Sequence, residues 1–256
     1  EGGSVTRLGP PFTQFPGNPY IRHRSDALDF GAITARELSA VGINMDYAPV
    51  LDTAFDRRTS VMAQRAFSHD PRQVADLGIA VIEALQSGGV MAVAKHFPGI
   101  GRTILDSHQV RPELDLNWEA LAESDLLPFK AALENWVSGV MLAHILYPRL
   151  DPHWPASLSP VIAHRILRER MGYGGLVLTD DLDMGAIVAH YPLETALRQI
   201  CAAEIDLILI CHWSAKMEDA HKEICRLLAR EEAQQAAGRR SLKRILAAKV
   251  RYLKTP

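Results

Sequence analysis

Val90-Met91-Ala92-Val93-Ala94-Lys95-His96-Phe97-Pro98-Gly99-Ile100-Gly101-Arg102-Thr103-Ile104-Leu105-Asp106-Ser107-His108 is the stretch that decides the fold. Its first five residues are an unbroken apolar run with no alternation. That pattern marks a strand buried on both faces, as in a parallel sheet covered by helices. The run ends in Lys95 and His96, and a glycine-bounded polar loop follows with no helical periodicity for ten residues. Gly99 and Gly101 permit tight loop geometry there.

The same arrangement repeats along the chain. Val41 to Asp52, Gly139 to Leu146, Gly175 to Thr179 and Ile205 to Cys211 each read as a strand running into polar residues. Between them lie helical patterns: Arg72 to Ser87, stopped by Gly88-Gly89; Trp118 to Trp136; Ser159 to Met171, with Pro160 near its first turn; and Leu193 to Ala203. Two amphipathic, charged helices occupy the last forty residues. Strict alternation of strand and helix predicts an α/β fold with a parallel sheet. No linker, repeat or low-complexity tract interrupts it, so residues 1–256 read as a single domain.

Composition removes several classes. The 256 residues are 48% apolar and 23% charged, as in an ordinary globular protein. No apolar run approaches a membrane helix. A formal net charge of −2 offers no electrostatic footprint for nucleic acid. The three cysteines, Cys201, Cys211 and Cys225, form no CxxC pair and make neither a disulfide framework nor a zinc site.

Polar groups gather where the strands end: Asp46 and Asp52; Lys95 and His96; His144; Asp180 and Asp181; Cys211 and His212. Parallel α/β folds place active sites at the carboxyl ends of their strands, so the pattern points to an enzyme. Asp106 and His108 are two apart, and a carboxylate beside an imidazole fixes its tautomer and raises its basicity. A turn-capping Asp beside a solvated His explains the same spacing. Asp180, Asp181 and Asp183 cannot all be buried as ions without partners. One of them could be a nucleophile or a metal ligand, while Asp181 or Asp183 is expected to cap the next helix. Ten histidines show no ligand spacing, and no metal is expected. No GxSxG elbow, dinucleotide fingerprint or phosphate loop is present.

The stretch from Lys95 to His108 resembles the signature loop of glycoside hydrolase family 3, most closely its β-N-acetylglucosaminidase (β-hexosaminidase) branch. Other segments agree in order: Glu1-Gly2-Gly3-Ser4-Val5-Thr6-Arg7; Gly42-Ile43-Asn44 through Ala48-Pro49-Val50-Leu51-Asp52; Arg65-Ala66-Phe67; Pro155-Ala156-Ser157-Leu158-Ser159; and Thr179-Asp180-Asp181-Leu182 with Met184. The resemblance implies a TIM-type (β/α)8 barrel. Only five strands are countable, so it implies a barrel N-terminally incomplete, with three strands and one sugar-binding carboxylate expected before Glu1.

The resemblance also implies a retaining exo-β-N-acetylglucosaminidase that removes terminal GlcNAc from peptidoglycan-derived fragments. Asp180 would be the nucleophile, and His108, paired with Asp106, the acid/base. Arg7, Arg65, Lys95 and His96 would hold the sugar. No cofactor is implied. The expected partner is a small carbohydrate, a muropeptide or chitooligosaccharide; a monomer in the cytoplasm is expected. A phosphorylase of the same fold and a non-catalytic glycan-binding relative are the alternatives. Ile100 and Arg102 stand where the family commonly has His and Asp, which puts the loop's conformation and the leaving-group preference in question.

Overall fold

The structure is a computed structural model and describes residues 1–105, 107 and 111–253. The chain divides into two compact units. The first comprises residues 1–104, 118–141 and 250–256, and the second comprises residues 105–117 and 142–249.

The first unit carries strands β1 (Met45–Asp46), β2 (Met91–Phe97) and most of β3 (Gly139–Leu142), in the order β1-β2-β3. β1 and β2 pair in parallel, with Met45 opposite Met91 and Asp46 opposite Ala92. β2 is buried along its whole length, as an unbroken apolar strand requires. The expected strand from Val41 to Asp52 is shorter than its apolar run. Pro49 has no N–H to give to a ladder. The chain beyond it continues as a single parallel bridge between Val50 and Lys95.

Helix α2 (Pro71–Ser87) matches its expected span. Asp70 caps it by accepting from the Arg72 N–H, and Val74, Leu77, Val81, Ile82 and Leu85 are buried. Each such side chain contributes about 1.5–3 kcal/mol when fully buried. Helix α1 (Arg24–Ala40) has no counterpart in the sequence reading. Its buried residues are Ala27, Phe30, Gly31 and Ala35, so its apolar stripe is written mostly in small side chains. They allow a close approach to α2: a Cβ added to Gly31 would lie 2.6 Å from Ala84 Cβ, and one added to Gly88 would lie 2.5 Å from Ala35 Cβ.

The helix expected over Trp118 to Trp136 is two helices, α3 (Trp118–Ala122) and α4 (Leu126–Glu134). Pro128 cannot donate to the carbonyl of residue 124, and its ring would collide with that carbonyl in a continuous helix. Phe129 of α4 packs edge-on against Phe97 at the end of β2, with ring centroids 5.4 Å apart.

In the second unit β4 (Leu176–Asp181) pairs in parallel with β5 (Leu207–Leu209). Its helices are α5 (Gly185–Val188), α6 (Leu193–Ala202), α7 (Ala215–Arg230) and α8 (Glu232–Tyr252), the last of which ends in residues of the first unit. The helix expected from Ser159 is a π-helix over Val161–Arg170. Ser159 lies just outside it, and its hydroxyl accepts from the Ile162 N–H and donates to Asp151. The Asp206 side chain, shielded from solvent, accepts from Arg168, from Arg244 of α8 and from the Val177 N–H, tying α8 and the π-helix to the sheet.

Candidate active site

In the first unit the loop after β2 is built around a buried carboxylate. Asp52 accepts from the backbone N–H of His96 at 3.1 Å, from the N–H of Ile100 at 2.9 Å and from His96 Nδ1 at 2.7 Å. Three donors satisfy a carboxylate that would otherwise be costly to bury. Because carboxylate oxygens accept, Nδ1 of His96 is the protonated nitrogen and the ring plane is fixed. The loop closes with Gly99 N–H to His96 O and Thr103 N–H to Ile100 O. Gly101 passes so near Thr53 that an added Cβ would lie 1.8 Å from its carbonyl oxygen. Only glycine fits there.

Glu1 joins this end of the unit. Its side chain, 4% exposed, accepts from Arg65 Nε at 2.9 Å and from an Arg65 terminal nitrogen at 2.7 Å, and pairs with Lys95 Nζ at 2.5 Å. Burial pushes the Glu1 carboxyl up, but the hydrogen bonds and charges of Arg65 and Lys95 outweigh it and hold the group far below the usual range. The structure thus brings Arg65 and Lys95 together through Glu1 and seats His96 on Asp52. Arg7 is exposed, and no hydrogen bond or ion pair engages it among the described residues.

The two unusual loop positions are also accounted for. Ile100 is buried, and its N–H is one of the Asp52 donors. Arg102 donates through Nε to Asp125 at 2.9 Å and through a terminal nitrogen to Ser124 at 3.0 Å, and its guanidinium lies 3.9 Å from the ring centroid of Phe55. Burial raises the Asp125 carboxyl, and the Arg102 hydrogen bond and charge oppose that rise. An Asp at position 102 would set a second carboxylate against Asp125. Phe55, Asp56, Thr59, Ser60, Gly101 and Arg102 line a cavity of about 190 Å³ beside this loop.

In the second unit Asp180 and Asp181 end β4. An Asp180 carboxylate oxygen accepts from the backbone N–H of Asp181 at 2.8 Å. Neither Asp181 nor Asp183 caps α5, contrary to expectation. Asp181 is committed to the turn instead, accepting from the N–H of Asp183 and the N–H of Cys211, both at 3.1 Å. Asp183 pairs with Lys216 at 2.7 Å, and the Lys216 hydrogen bond and charge lower its carboxyl. Lys216 also donates to Leu182 O at 2.7 Å. Burial, followed by the charge of Asp181, pushes the Cys211 thiol up to about 11.

Asp181, Asp183 and His212 have ligand-type atoms within 4.8 Å of one another. The Lys216 ammonium already supplies a positive charge to Asp183, and the sequence pattern did not single the group out. His144, fully buried, bonds Ser157 Oγ through Nδ1 at 2.6 Å and the Asp181 carbonyl through Nε2 at 2.9 Å. The expected acid/base pair, Asp106 and His108, lies outside the described residues.

Glu1 and Ser157 had no role in the sequence reading, and Asp52 and His144 had only a place at a strand end. The available signals were Asp52 closing the Ala48-Pro49-Val50-Leu51 run and Ser157 inside Pro155-Ala156-Ser157-Leu158-Ser159.

The profile of the glycosyl hydrolase family 3 N terminal domain matches residues 1–248. A β-hexosaminidase of Nitrosospira multiformis is 35% identical over 222 residues, covering 83% of this chain and 63% of the relative. One from Methylococcus capsulatus is 38% identical over 221 residues, covering 83% and 65%. Among solved structures, a glycoside hydrolase family 3 β-N-acetylglucosaminidase from Paenibacillus sp. superposes with a TM-score of 0.92 at 36% identity, covering 98% of this chain and 49% of that one. The chain thus spans less than two thirds of the length of these relatives. Its fold is the expected α/β class of the TIM-type (β/α)8 barrel, with five strands among the described residues.

Proposed function

We propose, from the premise that this chain belongs to glycosyl hydrolase family 3, that its protein is a retaining exo-β-N-acetylglucosaminidase. It acts on terminal β-linked GlcNAc of peptidoglycan-derived fragments, as a soluble monomeric cytoplasmic enzyme that needs no cofactor. The observation that carries the reading is Asp180: a half-buried carboxylate at the end of β4, oriented by a backbone N–H, in a chain whose relatives are named β-hexosaminidases.

The chemistry follows from the residue types. The Asp180 carboxylate attacks the anomeric carbon while His108, paired with Asp106, gives its proton to the departing glycosidic oxygen. The glycosyl–Asp180 ester forms as the glycosidic bond breaks. Water then attacks the same carbon, His108 takes the water's proton, and Asp180 leaves as a carboxylate. A neutral imidazole repels the incoming nucleophile less than a second carboxylate would, unlike the usual two-carboxylate scheme. Arg65, Lys95 and His96 hold sugar hydroxyls and the acetamido group by charge-assisted hydrogen bonds, and Arg7 adds a further donor.

Turnover of a chromogenic β-GlcNAc substrate, with little or none of the β-glucoside, is the expected result. His108→Ala is expected to lose roughly 10²–10⁴-fold on a substrate with a poor leaving group and far less on an activated one. Equal losses on both substrates would remove His108 from the acid/base role.

A further inference from the structure

The nucleophile strand has a support that the reaction scheme above does not use. His144 stands at the carboxyl side of β3, and its side chain is shielded from solvent. Its Nε2 lies 2.9 Å from the carbonyl oxygen of Asp181. A carbonyl oxygen only accepts, so Nε2 carries a proton. On the other side of the ring, Nδ1 lies 2.6 Å from the hydroxyl of Ser157, which donates to it when the ring is neutral. Ser157 is itself fully buried.

Residue 181 is thereby held at its carbonyl, its N–H and one carboxylate oxygen. Its carbonyl is held by His144. Its carboxylate is held by the N–H groups of Asp183 and Cys211. Its own N–H is the donor that orients Asp180, at 2.8 Å. A rotation of the peptide groups around Asp181 would carry that N–H away from Asp180. A nucleophile misplaced by about 1 Å costs on the order of a hundredfold in rate.

We infer that His144, seated on Ser157, is a positioning residue for the nucleophile, acting through the Asp181 backbone rather than through the sugar. The inference rests on Asp180 being the nucleophile. It assigns to Pro155-Ala156-Ser157-Leu158-Ser159 a purpose beyond packing: Ser157 sets the ring that sets the strand end.

Two substitutions separate this role from simple packing. In His144→Gln the amide nitrogen is as many bonds from the backbone as Nε2 and can still donate to Asp181 O. His144→Leu keeps bulk and loses the donor. In the intact protein, His144→Leu is expected to lower kcat by about 10–100-fold with KM changed less than about threefold, and His144→Gln to stay within about threefold of wild type in both. The acid limb of kcat/KM is expected to move upward by about half a unit or more in the Leu variant only, because a carboxylate that loses a hydrogen-bond donor is easier to protonate. Both variants remove the same imidazole, and Asp181, Asp183, Cys211, His212 and Lys216 are common to both. The difference between them therefore isolates the donor.

Equal kcat and equal acid limbs in the two variants would overturn the inference, whatever their thermal midpoints. Asp180→Asn serves as the control. Loss of turnover in it leaves the nucleophile assignment standing and the His144 comparison decisive, whereas undiminished turnover would overturn the assignment and the inference together.

Discussion

The loop after β2 and the end of β4 are organised by different kinds of contact. Around Lys95 and His96 the groups expected to hold the sugar are themselves held by carboxylates: Glu1 on Arg65 and Lys95, Asp52 on His96. At Asp180 the contacts include a backbone N–H, with a carbonyl, an imidazole and a serine hydroxyl behind it. A binding group gains from a fixed counter-ion, which keeps a long cationic side chain in one place at little cost to its hydrogen-bonding capacity. A carboxylate nucleophile must deliver its charge to carbon, and a backbone N–H orients it without neutralising it. The difference fits the proposed roles of Lys95 and His96 in holding the sugar and of Asp180 in attacking it.

The comparison breaks most readily at Asp52. Asp52→Asn is expected to destabilise the protein by about 2–4 kcal/mol, because an amide placed toward the His96 and Ile100 N–H groups cannot satisfy all three donors. Where the variant folds, the His96 ring loses its fixed tautomer, and kcat/KM is expected to fall at least a hundredfold. Chemical denaturation and initial rates check both. A fall in stability with unchanged kcat/KM would separate the loop's anchor from its function.

Gly101→Ala tests the same region with a smaller expected effect. The added Cβ must displace either the loop or the Thr53 carbonyl. A cost of about 1–3 kcal/mol is expected. Both a rise in KM and a fall in kcat for a β-GlcNAc substrate are expected, since this stretch of chain joins the holding groups Lys95 and His96 to the proposed acid/base His108. Unchanged KM and kcat would show that the close approach of Gly101 to Thr53 has no part in activity.

Much of this was legible in the sequence, for physical reasons. β2, β3 and β4 announce themselves because strands buried on both faces need continuous apolar runs, and β5 has such a run although its residues are only half-buried. α2 does so because its buried face is written in Val, Leu and Ile. α1 stayed hidden because its contact with α2 depends on Gly31, Ala35, Ala84 and Gly88, whose small side chains carry little periodic signal. The split between α3 and α4 was readable in Pro128, and the shortness of β1 in Pro49.

The candidate site divides in the same way. Asp180, Lys95 and His96 could be located because they terminate apolar runs. The partners that fix them could not, because Asp52 is 44 residues from His96 and Glu1 is 64 residues from Arg65. Such pairings are set by how strand ends gather, not by local spacing. His144 shows the same limit: the sequence placed it at a strand end, while its donation to Asp181, 37 residues on, needed coordinates.

The central claim is that Asp180 attacks carbon. A fluorinated β-GlcNAc analogue with a good leaving group, whose glycosyl-enzyme hydrolyses slowly, tests it directly. After brief incubation with the intact protein and proteolysis, mass spectrometry is expected to find one added sugar on the peptide spanning Leu178 to Gly185, with fragmentation placing it on Asp180. Turnover of the parent substrate with no trapped sugar, or a sugar carried on Asp181, Asp183 or any other residue, would contradict the account.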